Sequence, residues 1–163
     1  MTPMTDLMIN LENFPEIIGK EFASSTGPVV VVDDDPQQRQ ILGACYRKSN
    51  CSRDIIFFKS GEEFLDWAGH ASTSKESMPS ILLLDINMPE LDGFEVLQLL
   101  RQEASSIHLP NVVMLTTSSF QDDIDRAKGL GANGFWPKPM AIKDYITFFN
   151  TLNLATVAIA TDS

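Results

Sequence analysis

Five short apolar runs alternate with longer amphipathic segments, and this alternation constrains the fold more than any other feature of the chain. β-Branched and aromatic residues dominate the runs, as is typical of strands. The predicted strands cover residues 29–32, 54–58, 81–84, 112–115 and 132–136. Strands that alternate with helices through short connections form a parallel sheet with helices on both faces. The pattern therefore predicts an α/β fold with a doubly wound five-stranded parallel sheet.

The segments between and after these runs predict five helices. Their apolar residues recur at helical spacing over residues 36–48, 60–69, 94–103, 121–130 and 142–152. Residues 70–78 are small and polar, which favours a loop there. Gly131 is a typical C-terminal stop for the fourth helix. Pro137 ends the fifth strand, which suits an edge of the sheet because proline cannot donate to a ladder.

Length and charge limit the kind of protein this chain can be. Its 163 residues favour one domain, and a net charge of −10 argues against a nucleic-acid-binding surface while allowing a bound cation or a basic partner. No apolar run approaches the roughly 20 residues of a membrane helix, and Asp6 and Glu12 replace the basic start of a secretory signal. Cys45 and Cys51 lack metal-binding spacing, so we expect reduced thiols in a cytoplasmic protein.

Charged and hydroxyl side chains follow four of the predicted strands. In parallel sheets of this kind, ligands bind beyond the carboxyl ends of the strands, so these side chains are expected to share one edge. They are Asp33, Asp34 and Asp35 after the first strand, Asp85 after the third, Thr116 and Thr117 after the fourth, and Lys138 after the fifth.

The chemistry of this edge favours a cation and a phosphoryl group. Carboxylates held close together repel one another unless a cation lies between them or one takes up a proton. Oxygen ligands without a Cys or His cluster point to Mg²⁺ rather than zinc. A carboxylate beside Mg²⁺ can act as a nucleophile toward a phosphoryl group and form an aspartyl phosphate. Lys138 and a threonine hydroxyl would then bind the other phosphoryl oxygens.

Four segments, in the same order along the chain, resemble the receiver domains of two-component response regulators. They are VVVVDDDP, LLLDINMPELDGFEVL, LTTSS and FWPKP. The resemblance covers residues 28–153, and the chain is similar to receivers of the stand-alone, chemotaxis-receiver-like type. It implies a flavodoxin-like fold with strand order 2-1-3-4-5, an N-terminal extension at residues 1–27 and a tail at residues 154–163.

The resemblance also implies roles for the acidic residues. Asp85 matches the phosphoacceptor, and Asp34 matches the direct Mg²⁺ ligand with Asp33 beside it in the acidic pocket. Asn87 would supply its backbone carbonyl to the metal, and Mn²⁺ is a second candidate ion. Asn87 and Ser118 match the positions that tune dephosphorylation in the family.

Further residues match the switch of the family. Thr116 is implied to be the hydroxyl that moves toward the phosphoryl oxygen, and Lys138 the amine that pairs with it. The Lys138–Pro139 bond is expected to be cis. Phe135 falls at the aromatic position that rotates inward on activation. Many relatives have tyrosine there, so a contact that depends on its hydroxyl is lost.

The partners follow from the same resemblance. A histidine kinase or a histidine phosphotransfer protein would donate the phosphoryl group. The face made by the fourth helix, fifth strand and fifth helix would then bind a downstream protein target. No role for nucleic acid or a membrane is expected, and a homodimer is possible within the family pattern. Such a protein is not an enzyme on other substrates, because it catalyses only its own phosphorylation and dephosphorylation.

Several alternatives stay open at this point. Asp35 is also expected to cap the first helix, and Thr116 is favoured over Thr117 because it follows the apolar run directly. Trp136, Tyr145 and Phe148 could form an exposed aromatic patch or pack in the core. The sequence does not distinguish between these two arrangements.

Two other functions compete with the receiver. A phosphatase of the haloacid dehalogenase type shares the aspartyl nucleophile, but it needs a second Asp two residues later, where this chain has Asn87. A degenerate receiver would bind partners without phosphorylation. The intact set of Asp34, Asp85, Thr116 and Lys138 argues against it.

Overall fold

The computed structural model describes residues 27–74, 78–102, 111–117, 121–139 and 141–162. In these residues five strands alternate with five helices, as the sequence predicts. The elements are β1 (Val29–Val32), α1 (Pro36–Lys48), β2 (Ile55–Phe58), α2 (Gly61–Ser74), β3 (Ile81–Asp85), α3 (Gly93–Gln102), β4 (Val112–Thr116), α4 (Gln121–Gly129), β5 (Gly134–Pro137) and α5 (Ile142–Asp162).

The five strands form one parallel sheet in the order β2-β1-β3-β4-β5, which confirms the predicted topology. The register pairs Val32 with Leu84, so β1 and β3 end side by side near the middle of the sheet. β5 is an edge strand, and its Pro137 pairs with Thr116 of β4. The residues that follow β1 and β3 are therefore neighbours at one edge.

Alternate residues of each strand face two separate apolar layers. On β1, Val30 and Val32 face the layer covered by α2, α3 and α4, whereas Val29 and Val31 face the layer covered by α1 and α5. All four valines are fully buried. A strand buried on both faces reads as a continuous apolar run, which explains why β1 shows no polar alternation.

Local caps decide where the helices next to the sheet edge begin. The Asp35 side chain accepts a hydrogen bond from the Gln37 backbone amide at 2.9 Å, and Pro36 occupies the first turn of α1. Asp92 and Glu95 cap α3 reciprocally, with distances of 2.9 and 3.1 Å. Each cap satisfies backbone amides that have no partner within the helix.

Three predicted boundaries differ from the structure by two residues or more. α2 continues to Ser74, through residues predicted as a loop, because no glycine or proline lies between His70 and Ser74 to stop it. α5 continues past residue 152 to Asp162 through alanine, leucine and isoleucine, and β5 begins at Gly134 rather than residue 132.

The late start of β5 follows from the turn that ends α4. Gly131 adopts a φ of +90°, and its amide bonds to the Lys128 carbonyl. The Ala132 amide bonds to the Ala127 carbonyl at 3.0 Å, which keeps Ala132 in the turn. Gly131 is thus the helix stop that the sequence predicts.

Two further predictions concern the whole chain. Both cysteines are free, as predicted. Across the described ranges, no helix combines the length and the apolar character needed to cross a membrane. The predicted N-terminal extension lies outside the described residues, apart from Gly27.

Candidate functional site

Three carboxylates meet where β1 and β3 end. One oxygen from each of Asp33, Asp34 and Asp85 lies within 4.8 Å of the others. Asp33 and Asp85 are buried and Asp34 is partly exposed, so the cluster opens to solvent on the Asp34 side. The structure therefore brings together three of the four acidic residues that the sequence places at this edge, whereas Asp35 caps α1 instead.

Lys138 reaches the same cluster from the far side of the sheet. Its Nζ lies 3.1 Å from Asp33 Oδ2 and 3.2 Å from Asp85 Oδ1. β4 lies between β5 and β3, so only a long side chain can cover this distance. The Lys138 amide donates to the Thr116 carbonyl at 2.6 Å, which extends the ladder between β4 and β5 by one bond. The amine is thus held between two buried carboxylates.

The pKa values of Asp85 and Lys138 are both raised. The pKa of Asp85 is raised to about 6, mainly by burial and then by the neighbouring Asp33 carboxylate, with Lys138 offsetting part of the effect. Burial lowers the pKa of Lys138, but the carboxylates of Asp85 and Asp33 outweigh it, so the net pKa is raised. Lys138 therefore stays charged, and the excess negative charge falls on the carboxylates.

The turn after Asp85 depends on a close approach by Gly93. A Cβ at Gly93 would lie 2.4 Å from the Asp85 carbonyl oxygen, so only glycine fits there. The Gly93 amide donates to the Ile86 carbonyl at 2.9 Å, and the Asn87 amide faces Asp85 Oδ1 at 3.4 Å. Glu90 adopts a φ of 64°, in the left-handed region. The loop folds back tightly and leaves the Asp85 side chain at the edge of the sheet.

The structure separates the two candidate threonines. Thr116 is buried as the last residue of β4, whereas Thr117 is exposed. Phe135 is fully buried in the layer covered by α2, α3 and α4. The placement agrees with the preference for Thr116, although the roles of Thr116 and Phe135 stay predictions. Ser118 lies outside the described residues.

The prediction of a cis bond between Lys138 and Pro139 is wrong for this structure. No described peptide bond is cis. An X-Pro bond favours trans by roughly 0.5–1 kcal/mol, and the Lys138 amine reaches both carboxylates with the trans bond in place.

The aromatic residues near Lys138 pack in the core rather than forming a patch. Trp136 stacks on Phe148 with ring centroids 4.0 Å apart and meets Tyr145 edge to face at 5.7 Å. All three side chains are buried between β5, α1 and α5. Tyr145 also accepts a hydrogen bond from Gln38 Nε2 at 2.7 Å, which links α5 to α1. The alternative of ordinary packing is confirmed.

The donor set of the cluster fits a hard divalent cation. Three carboxylates supply oxygen atoms within one small volume, and no Cys or His side chain takes part in this group. Mg²⁺ and Mn²⁺ prefer such ligands. A cation would also relieve the repulsion that raises the pKa of Asp85. The residues present therefore match a metal site.

Sequence reasoning missed one contact of this site. Arg39 Nη1 donates to the Asp33 carbonyl at 2.7 Å. The signal was available in the spacing, because α1 is capped by Asp35 and Arg39 lies one turn into that helix, on a side chain long enough to reach back. The capping role of Asp35 was predicted and is confirmed.

The chain is similar to known proteins over the same region. The family model described as response regulator receiver domain matches residues 29–150. The crystal structure of response regulator RPA3017 in red light signaling of R. palustris is 35% identical, with a TM-score of 0.66, and the match covers 77% of this chain and 90% of that one. The bacteriophytochrome response regulator AtBRR is 30% identical, with a TM-score of 0.62, over 79% and 91% of the two chains.

A third relative is the response regulator Rcp1 of Synechocystis sp. It is 29% identical over 119 residues, which are 71% of this chain and 79% of Rcp1. A structure of the Mn²⁺-bound form of Rcp1 matches with a TM-score of 0.64 at 24% identity, which shows the shared fold.

Proposed function

Because this chain belongs to the response regulator receiver family, whose members are phosphorylated on aspartate in two-component signalling, we propose that Asp85 is its phosphoacceptor. One observation carries the proposal. Asp85 lies at the edge of the sheet with two other carboxylates within 4.8 Å and the Lys138 amine at 3.2 Å. This combination places a nucleophile next to a group that can bind the oxygens it would receive.

The transfer reaction uses Asp85 as the attacking group. An Asp85 carboxylate oxygen attacks the phosphorus of a phosphohistidine, and a new P–O bond forms as the P–N bond breaks. The electron pair of the broken bond stays on the imidazole of the donor. Lys138, which pairs with Asp33 and Asp85 before the reaction, would then pair with a phosphoryl oxygen.

We assign the metal site to Asp34, Asp85 and the backbone carbonyl of Asn87, with Asp33 behind them. The oxygen donors support Mg²⁺, with Mn²⁺ as a substitute. When bound, the cation would neutralise negative charge on the transferring oxygens. Asp33 is less available as a direct ligand, because its carboxylate already accepts from the Asp35 amide and from Lys138.

Phosphorylation would be read through the face made by α4, β5 and α5. Thr116 and Phe135 are the switch residues, and both lie on strands next to this face and are fully buried. A shift of Thr116 toward the phosphoryl group would free space that Phe135 can enter. Phosphorylation would thereby shift the equilibrium between an inactive and an active conformation. The output is binding of a protein target in the cytoplasm, and a second copy of the chain is one candidate for that target.

The phosphoryl donor is a histidine kinase or a histidine phosphotransfer protein. Three solved structures above 25% identity are named for red light signaling or as bacteriophytochrome response regulators. A bacteriophytochrome-type histidine kinase is therefore the first donor to test. Asn87 and Ser118 would tune the lifetime of the phosphorylated state. The dehalogenase-type phosphatase is not supported, since Asn87 stands where those enzymes need an acid. The closeness of Asp34, Asp85 and Lys138 argues against a degenerate receiver.

The experiment is an intact-mass measurement after incubation with Mg²⁺ and acetyl phosphate. The unsubstituted protein is expected to gain one phosphoryl group, and Asp85→Asn none. Asp66→Asn is the control, because Asp66 is an exposed carboxylate on α2 and its loss should leave the labelling unchanged. An unlabelled native protein, or equal labelling of Asp85→Asn, would contradict the proposal.

A further inference from the structure

Arg39 lies on α1, and its side chain reaches back to the backbone of the acidic cluster. Its Nη1 donates to the Asp33 carbonyl at 2.7 Å. Its own amide bonds to the Asp35 carbonyl at 3.0 Å, as part of the first turn. The guanidinium therefore bridges the helix and the last peptide group before Asp34.

Asp33 is held at every polar atom it possesses. Its amide bonds to the Phe58 carbonyl at 3.1 Å, and its two carboxylate oxygens accept from the Asp35 amide and the Lys138 amine. Arg39 supplies the fourth contact, to the carbonyl. The peptide group is planar, so a fixed Asp33 carbonyl also fixes the direction in which the chain enters Asp34.

Asp34 differs from Asp33 because no side chain or amide of the described residues holds its carboxylate. Among the described residues no hydrogen bond or ion pair reaches that side chain, which is partly exposed beside Asp33 and Asp85. Its position depends on the backbone alone.

From these contacts we infer that Arg39 is a positioning residue, which holds the Asp33–Asp34 peptide so that the Asp34 carboxylate faces the metal position. The inference rests on the proposed function, since it concerns the same metal site. It adds a residue on α1 to that site, and this residue touches neither the metal nor the phosphoryl group.

Positioning and simple electrostatics predict opposite signs for a substitution at Arg39. Removing a positive charge near three carboxylates should strengthen the binding of a cation. Releasing the Asp33 carbonyl should weaken it, because Asp34 then has to be ordered by the metal itself. Substitution of groups that orient metal ligands typically weakens affinity about 10- to 100-fold.

The test is a calorimetric Mg²⁺ titration of the full chain, with no phosphodonor present. Arg39→Gln is compared with Arg47→Gln, which removes the same charge from an exposed side chain two turns further along the same helix. Arg39→Lys tests partial rescue, and Asp34→Asn serves as the reference for a lost ligand.

We expect Arg39→Gln to weaken Mg²⁺ binding about tenfold, Arg39→Lys to weaken it less, and Arg47→Gln to leave it unchanged or slightly tighter. Denaturation of the metal-free variants separates positioning from a merely structural role, which would lower stability while Mg²⁺ affinity stays the same. Lower stability of Arg39→Gln with an unchanged Mg²⁺ affinity would overturn the inference, and so would tighter Mg²⁺ binding by Arg39→Gln. In either case the proposed function stays intact provided that Asp34→Asn binds Mg²⁺ weakly. A native protein that binds no Mg²⁺ would overturn both.

Discussion

The two ends of the sheet both bury polar groups, but they bury different kinds. At the carboxyl ends, Asp33 and Asp85 are buried charges that share one cation, the Lys138 amine. The cluster carries more negative than positive charge. The raised pKa of Asp85 shows that its ionised form is less favourable here than in water. This end of the sheet therefore fits the cation that we propose, although its excess charge lowers the stability of the metal-free protein.

At the amino ends the serine and asparagine side chains are neutral and bond to the backbone, with Ser80 and Asn111 buried and Asn133 partly buried. Asn111 Nδ2 donates to the Ser80 carbonyl at 3.0 Å, and Ser80 Oγ donates to the Pro28 carbonyl at 3.2 Å. Asn133 Oδ1 accepts from the Val112 amide at 2.9 Å and from Arg101 at 3.1 Å. These side chains complete hydrogen bonds where strands begin. Among the described buried side-chain atoms, Asn111 Oδ1 alone lacks a hydrogen-bond partner, so the polar groups at the amino ends are nearly satisfied, whereas the carboxyl ends keep an excess of negative charge.

The largest expected effect at the charged end comes from removing its cation. Lys138→Ala leaves the buried carboxylates of Asp33 and Asp85 without their shared cation, and it should lower the free energy of unfolding of the metal-free protein by about 3 kcal/mol. Lys143→Ala, at an exposed lysine of α5, is the control for denaturant unfolding. Saturating Mg²⁺ should recover part of the loss.

The same variant also tests the switch. Phosphorylation by acetyl phosphate should remain measurable, while the change in tryptophan fluorescence that follows it should shrink. An unchanged fluorescence response, or a loss of stability no larger than that of Lys143→Ala, would count against the role given to Lys138.

A substitution at Asp85 should have the opposite sign. Asp85→Asn removes a carboxylate whose pKa is raised from 3.8 to about 6, so the metal-free variant should be more stable at pH 8 by about 2–3 kcal/mol. The folded protein binds more protons than the unfolded chain between these two pKa values. Its stability therefore falls as pH rises from about 4 to about 7.

The Asp85→Asn comparison is best made as a pH series of denaturant midpoints without metal. The stability difference between variant and native protein should vanish near pH 4 and be largest at pH 8, and Mg²⁺ should reduce it by binding the native protein. A difference that grows as pH falls, or a variant no more stable at pH 8, would remove the distinction between the two ends of the sheet.

At the neutral end, Asn133→Ala should cost about 2 kcal/mol of stability, because the Val112 amide loses its acceptor inside the protein. Mg²⁺-dependent phosphorylation should proceed at the native rate. Asn150→Ala, which removes a comparable but exposed hydrogen bond to the Asn50 amide, should cost less. A lower phosphorylation rate in Asn133→Ala would show that the two ends are not independent.

The smallest expected effect concerns an acid at the charged end that has a structural role. Asp35→Ala removes the cap of α1 and should lower stability by about 1 kcal/mol, with Asp35→Ser restoring most of it. The Mg²⁺ dissociation constant should stay the same, in contrast to Asp34→Ala. Equal weakening by both substitutions would mean that Asp35 belongs to the metal site.

The sequence predicts this fold well because its signals agree with one another. Apolar runs mark each strand, Asp35, Pro36 and Gly131 mark helix ends, and parallel strands necessarily bring their following residues to one edge. The gathering of Asp33, Asp85 and Lys138 could therefore be predicted before any coordinates.

What escaped prediction depends on side-chain reach or on weak local signals. Nothing in the spacing says that Lys138 pairs with Asp33 as closely as with Asp85, since that depends on how far its side chain extends across β4. The Arg39 contact is of the same kind. The end of α2 was missed because the small and polar residues 70–74 have only weak propensities, and no glycine or proline stops the helix there.

The central claim, that Asp85 carries the phosphoryl group, is tested most directly by trapping the phosphorylated protein with borohydride. Reduction of an aspartyl phosphate yields homoserine at the modified position, which peptide mass mapping locates. The account predicts homoserine at residue 85, only after incubation with Mg²⁺ and a phosphodonor. Homoserine at Asp33 or Asp34, or a phosphorylated protein with no homoserine at all, would contradict it.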